Sequence, residues 1–335
     1  METDNTYPYR NLAMEEYMTL HVPQGTCILY LWQNRHTVVI GKNQNCWREC
    51  RVNFLEQENG YLVRRLSGGG AVFHDLGNLN FTFIVGAGDY DVSRQLDVIL
   101  EAVRSLGIHA EKTGRNDITV DGRKFSGNAF YRTGDGCYHH GTILIRADKE
   151  NMSRYLNVSK EKLASKGVTS VKSRVANLCE FKPDITLEEV KSALVEAFSK
   201  VYGQPAVRME EGELPQPDID ARTEKFASWQ WKYGRKIPFE YEMEKRFPWG
   251  NIQIQFHVDE GMIQDVNVFS DAMDQEMIGM LAEQLKGCAY AEEDICRAVK
   301  AVGTDAFQAG EYTGADEPQS CRIKEDIMTL VRESL

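Results

Sequence analysis

Hydrophobic and polar positions along the chain fall into short runs with two distinct periods. Residues 27–32 (CILYLW) and 37–40 (TVVI) are rich in β-branched and aromatic side chains and predict strands. A strand near residues 61–66 leads into three consecutive glycines, and another at 80–85 (NFTFIV) leaves them. Between such runs the period lengthens. Residues 11–18 predict an opening helix, with Leu12, Glu15 and Glu16 suited to it. Residues 91–106 carry Val92, Leu96, Ile99, Leu100 and Val103 on one side. Residues 186–201 open with Thr186, Glu188 and Glu189, an acidic first turn that suits the helix dipole. Further short strands are expected at 117–120, 124–125 and 141–145.

Many of these strands are joined by tight turns rather than helices. That favours a mixed or antiparallel sheet with helices packed on it, an α+β fold, over a doubly wound parallel sheet. Residues 210–220 (EEGELPQPDID) are acidic and proline-rich and predict an exposed connection. A boundary is expected near 246–250, giving a catalytic domain over 1–245 and a small α+β C-terminal domain over 246–335. The latter would hold two strands, 251–258 and 262–269, split by Asp259-Glu260-Gly261 and followed by helices.

Composition narrows the class. The 335 residues carry 42% hydrophobic side chains, ordinary for a globular protein with a full core. No apolar run approaches the roughly 20 residues of a membrane span, and the polar start METDNTYPYR lacks a signal pattern. A net charge of −11 argues against a broad nucleic-acid surface, though not against a local cationic pocket. The eight cysteines are scattered, with Cys46 and Cys50 the one close pair, which suits reduced thiols in a cytoplasmic protein.

The most informative stretch is Arg64-Arg65-Leu66-Ser67-Gly68-Gly69-Gly70-Ala71-Val72-Phe73-His74-Asp75. Three glycines let a ligand approach the backbone, and successive N–H groups can cradle an anion. The guanidinium groups before them suit a phosphate or carboxylate. Flexibility of a plain hairpin is the competing explanation, and neither the P-loop nor the G-x-G-x-x-G pattern is present. A second signal surrounds Lys124, which follows the turn Asp121-Gly122 and precedes Ser126 and Gly127. An ammonium fixed among small residues could hold a carboxylate against an α-phosphate. Asp117 could orient it or carry a magnesium ion; a turn-capping role is the alternative. His139 and His140 precede Gly141 and Thr142, and a structural histidine is expected for at least one. Residues 166–178 mix hydroxyls and cations without a period, as a loop closing over a phosphoanhydride would.

Together and in this order, these pieces resemble the lipoate–protein ligase A family. Its R-x-S-G-G-G-A-V-F-H-D-x-G-N turn is met without departure by residues 65–78, followed by N-D-I at 116–118, K-x-S-G at 124–127, H-H-G-T at 139–142 and T-S-V-[KR]-S-R-V at 169–175. Residues 229–234 (WQWKYG) and 246–250 (RFPWG) resemble the approach to the family's accessory domain.

The resemblance implies a biotin/lipoate ligase-like fold related to class II aminoacyl-tRNA synthetases. It implies activation of lipoate by Mg²⁺·ATP to lipoyl-AMP, then transfer to a lysine of the lipoyl domains of 2-oxoacid dehydrogenase E2 subunits or the glycine cleavage H protein. A cytoplasmic monomer without nucleic-acid or membrane partners is expected. Lys124 would be catalytic, touching the lipoyl carbonyl and phosphate oxygens. Arg65 and the amides around Gly70, Ala71 and Val72 would bind the acyl-phosphate. Asn78 would hold the nucleotide, and Asp117 would lie near phosphates or metal. Ser67, Ser126, Thr142, Lys172, Ser173 and Arg174 complete the expected binding set. His74 and His140 would line the pocket, neither as an essential base. Trp32, Val72 and Phe73 would wall the lipoyl tail, with core packing the stronger role for Phe73. Two alternatives share the fold: a transferase using preformed lipoyl-AMP, and an octanoyl or lipoyl transferase acting through Cys137 or Cys179.

Overall fold

Strand β5 (Asn78–Gly86) is buried along its whole length, and the largest sheet extends outward from it. The computed structural model describes residues 1–113, 117–157, 175–303 and 319–335. Asn116 and the expected loop residues Thr169, Lys172, Ser173 and Arg174 lie outside them.

The described chain divides into two units. The first comprises residues Met1–Ile40, Cys46–Arg65 and Ala71–Lys232; the second comprises Gly41–Asn45, Leu66–Gly70 and Tyr233–Leu335. In the first unit, β1 (Cys27–Trp32), β5, β9 (Gly136–Leu144), β8 (Arg123–Thr133), β7 (Asp117–Val120) and β6 (Glu111–Thr113) form a six-stranded sheet in that order. Every pairing in it is antiparallel. A separate three-stranded sheet places β2 (Thr37–Ile40) parallel to β3 (Tyr61–Arg64) and antiparallel to β4 (Val72–His74). The mixed strand architecture expected from the short connections is therefore present.

Helix α1 (Pro8–His21) covers one face of the six-stranded sheet, sending the buried Glu15 to Thr82 and His140. On the opposite face lie α2 (Val92–Ser105) and α3 (Leu187–Tyr202). There Gln95 meets His139, and Phe198 lies 6.2 Å from the Phe83 ring. All five apolar positions singled out on α2 are buried. Its first turn is capped by the Asp91 side chain, and α3 opens with the Thr186–Glu189 capping box.

Residues 210–220 are more than a connection. A short 3-10 turn (Glu211–Glu213) precedes helix α4 (Gln216–Ala227), whose first turn contains Pro217. Proline is tolerated there because the first helical N–H groups have no intrahelical partner. Glu210, Glu213, Asp218 and Asp220 are exposed as expected, but the stretch also meets α1: Arg10 pairs with the half-buried Glu211 and with Asp220 at 2.9 and 2.8 Å, and from further along α4 Arg222 and Lys225 donate to Glu16. Strands β8 and β9 also run further than expected. Neighbours on both sides hold backbone whose Gly, Ser and Asn content gives a weak strand signal.

In the second unit β10 (Tyr241–Phe247), β11 (Gly250–Asp259) and β12 (Met262–Ser270) form an antiparallel sheet. Ile252, Ile254, Phe256 and Ile263 pack there with residues of α5 (Gln275–Leu285), α6 (Glu292–Ala301) and α7 (Gln319–Ser334). The two expected strands and their turn are present. Strand β10 was not expected: its alternation of Tyr, Met and Lys with Glu hides a half-exposed edge strand. Among the described residues no helix is long and apolar enough to cross a membrane.

A small cross-brace holds the start of β8. Val175 bridges to Lys124, and the Ala176 N–H donates to the Lys124 carbonyl at 2.9 Å. Asn177 exchanges hydrogen bonds with both backbone groups of Ala147. Glu180 accepts from Lys149, from the Asn177 N–H and from Arg123 at 2.6–2.7 Å. Partial burial alone would raise the Glu180 pKa, but these donors outweigh it and hold the carboxyl at about 2. A carboxyl depressed from its ordinary value near 4.5 stabilises the fold above that pH and loses the contribution as pH falls toward about 2. Thermal melts should therefore show a gap between wild type and Glu180→Gln that is full above pH 4.5 and closes below it. A gap independent of pH would contradict this origin.

Candidate active site

Register across the six-stranded sheet gathers the polar residues on the face that α1 covers. Trp32 opposes Asn80, and Asn80 opposes Thr142. Gly127 lies beside Thr142, donating its N–H to the Thr142 hydroxyl at 3.3 Å, and Gly127 opposes Asp117. Trp32, Asn80, Thr142, Gly127 and Asp117 thus make a row across five strands. The next row on this face holds Tyr30, Thr82, His140 and Ala129.

Lys124 joins this face through a register shift. Ser126 pairs with Ile118, but Lys124 pairs with Thr119, so Phe125 is the extra residue of a β-bulge. Opposed residues share a face, so the shift puts Lys124 with Thr119, Asp117 and Gly127 instead of with Ser126. The Lys124 ammonium lies 2.5 Å from Asp117 Oδ1, with both side chains about one-fifth exposed. It folds back over Gly127, where a Cβ would stand 2.7 Å from Nζ. A side chain at 127 would therefore displace the ammonium. Ser126, expected among the binding residues, is instead fully buried on the opposite register and its hydroxyl has no partner among the described residues.

A buried network stands behind the row. The Trp32 indole N–H donates to the Thr82 hydroxyl (3.0 Å), and Thr82 donates to Glu15 (2.7 Å). His140 Nδ1 meets the same Glu15 oxygen at 2.8 Å. Asn78 donates to Asn80 Oδ1 at 2.9 Å, leaving Asn78 Oδ1 and Asn80 Nδ2 buried without a partner among the described residues. An unmet buried donor or acceptor costs about 1–3 kcal/mol, which marks this spot as one where a ligand would restore the bonds. Glu15, Asn80 and Thr82 were missed by motif. The alternation in Asn78-Leu79-Asn80-Phe81-Thr82-Phe83 was visible, but a polar face of that kind is ordinarily wet, and here α1 buries it.

The histidines divide by face and surroundings. His139 is on the far face, fully buried between Gln95 and Asn128, and burial followed by the field of His140 lowers its pKa to about 3. It is structural. His74 receives a hydrogen bond from Asn34 and stands edge-on to Trp32. Burial, then Arg65 and His140, bring it to about 3, so it is neutral at pH 7 and a poor base.

The paired arginines have different tasks. Arg64 donates to the Trp231 and Lys232 carbonyls, while the Trp231 indole returns a bond to the Arg64 carbonyl. Arg65 is 5% exposed and donates to the Val39 carbonyl. Burial pulls its pKa down to about 10, against the fields of Tyr138 and Glu15, so it stays cationic at pH 7. Val72 and Ala71 are half-buried. Phe73 packs against His36 and Tyr155 at 5.6 and 5.4 Å, a core contact.

Residues Leu66–Gly70 belong to the second unit. The Gly69 N–H donates to the Ala272 carbonyl at 3.1 Å, and Gly69 has φ +86°. A Cβ on Gly68 would lie 2.5 Å from the Ala272 oxygen. Here the close approach that glycine permits is used by protein backbone. Ser67 is buried and its carbonyl accepts from the Lys42 N–H; Gly70 is half-buried.

Comparison with known proteins agrees with these features. The model of the lipoyl protein ligase A/B catalytic domain matches residues 7–199, and that of the bacterial lipoate protein ligase C-terminus matches residues 236–314. Among solved structures, P. falciparum LipL1 in complex with lipoate is similar at 29% identity, covering 98% of each chain with a TM-score of 0.80. A bipartite lipoate protein ligase from Thermoplasma acidophilum, described with its E2 lipoyl domain, is 27% identical over 71% of this chain and 96% of its own, with a TM-score of 0.61. A lipoate-protein ligase A bound with ATP is 25% identical over 70% and 96%, also at 0.61. The chain belongs to the lipoyl protein ligase A/B family, with a biotin/lipoate ligase-like catalytic fold and a lipoate protein ligase C-terminal domain.

Proposed function

We propose that the protein is a lipoate–protein ligase that activates lipoate with Mg²⁺·ATP to lipoyl-AMP and transfers the lipoyl group to a lysine of a lipoyl domain. The observation that carries the proposal is Lys124, held at 2.5 Å by Asp117 in a row that continues through Thr142 and Asn80 to Trp32. That arrangement offers a fixed cation for the acyl-phosphate at one end and an aromatic wall at the other. Support comes from similar proteins described with lipoate, with ATP and with an E2 lipoyl domain. Lys124 would oppose the charge that develops on the carbonyl and phosphate oxygens. Arg65, cationic despite burial, would add to the positive field for the same group.

Magnesium fits the donor set in one way only. Among the described residues no group of three His, Cys, Asp or Glu side chains could cage a metal. Asp117 offers one carboxylate, which suits an ion that keeps its waters and rides on substrate phosphates. When bound, such an ion would neutralise phosphate charge.

The thioester alternative finds less support. Cys137 is fully buried and, two residues from His139 along β9, shares the face opposite His140 and Thr142. His139 is too weak a base to activate it, with a pKa of about 3.

Purified protein with lipoate, Mg²⁺·ATP and an apo lipoyl domain should raise the acceptor mass by one lipoyl group. A gain with synthetic lipoyl-AMP but none with free lipoate and ATP would overturn self-sufficient activation in favour of a transferase. Lys124→Ala should lower lipoyl-AMP formation by about 100-fold or more while circular dichroism stays unchanged; full activity would refute its role. Cys137→Ser and Cys179→Ser should each keep turnover within about twofold, and loss in either would restore the thioester route.

A further inference from the structure

Asn80 carries a buried donor that no described residue bonds. The side chain is 1% exposed, its Oδ1 is held by Asn78 Nδ2 at 2.9 Å, and its Nδ2 has no partner among the described residues. That bond sets the amide oxygen toward Asn78 and the NH₂ away from that bond. Trp32 stands opposite on one side, but its indole N–H is committed to Thr82. Thr142 stands opposite on the other, its hydroxyl receiving the Gly127 N–H. Beyond Thr142, the Lys124 ammonium folds over Gly127 on the same face.

We infer that Asn80 donates its Nδ2–H to an oxygen on C1 of the bound acid, beside Lys124, and so holds the carboxyl end for activation. The inference deepens the ligase proposal and rests on it. A buried neutral donor needs an acceptor, and a saturated dithiolane chain has strong acceptors only in its two carboxyl oxygens. The position agrees: Asn80 lies between the aromatic residue expected to wall the tail and the cation expected to meet the acyl-phosphate. Lys124 supplies charge, and Asn80 supplies direction. Together they would give the oxygen two donors from different strands, β5 and β8, each fixed by its own partner.

The test compares lipoate with 3-pentyl-1,2-dithiolane, which keeps the tail and lacks the carboxyl, by calorimetry on the full chain. Asn80→Ala and Asn80→Val both remove the donor, and valine is a strong strand former on β5. Each should weaken lipoate binding about 10-fold or more and leave the tail-only probe within about twofold. Unchanged lipoate affinity, or equal weakening of both ligands, would overturn the inference while leaving the ligase proposal standing. Wild type that does not bind lipoate would instead defeat the ligase proposal and this inference with it. A measurement on wild type is independent of how the variants fold. Its Asn80 side-chain NH₂ resonance should shift downfield with lipoate and stay in place with the probe; no shift with lipoate would overturn the inference.

Discussion

Everything chemical in the first unit depends on one extra residue in β8. An unbroken antiparallel ladder would put Lys124 and Ser126 on one face and Gly127 on the other. The bulge at Phe125 changes that parity, so the lysine arrives on the face that already holds Gly127, Asp117 and Thr142. Phe125 itself is fully buried and anchors the shift by its packing. The brace formed by Val175, Ala176, Asn177 and Glu180 then fixes the backbone where the bulge begins. An ammonium on a flexible stem thus becomes a charge in a defined place.

The same face is polar and yet dry. Asn78, Asn80, Thr82, Glu15 and His140 are all buried under α1. Such a layer is expensive unless its members satisfy one another, and most do, through the chain from Trp32 to Thr82 to Glu15 to His140. The exceptions are Asn78 Oδ1 and Asn80 Nδ2, which have no partner among the described residues. Buried cation and anion balance as well, with Arg65 kept charged although burial pulls its pKa down. His74 stays neutral for the same reason. The layer therefore holds hydrogen-bonding groups and a buried cation in fixed places.

The glycine turn shows how one sequence feature serves two physical needs. Without side chains, residues 68–70 can admit a ligand's phosphate, and they can equally admit another stretch of backbone. Within the second unit they meet the carbonyl groups of Ala272 and Met273. The Gly69 amide cannot serve an anion while it is bonded to Ala272.

The sequence by itself determined the elements whose signal is local: the period of α2, the cap of α3, the hairpin ends and the exact succession of family motifs. Those motifs named Arg65, Lys124, Asp117 and Thr142, because the pieces, each weak alone, are specific in combination and order. It did not show that residues 210–220 fold onto α1, since acidic side chains look solvated until their cations arrive from distant positions. Nor did it place Ser126 away from Lys124. Those outcomes turn on strand register and on which face a helix covers, and both are set by contacts between residues far apart in the chain. Only the tertiary structure could decide them, because reversing a side chain's direction takes one unpaired residue and leaves almost no trace in local composition.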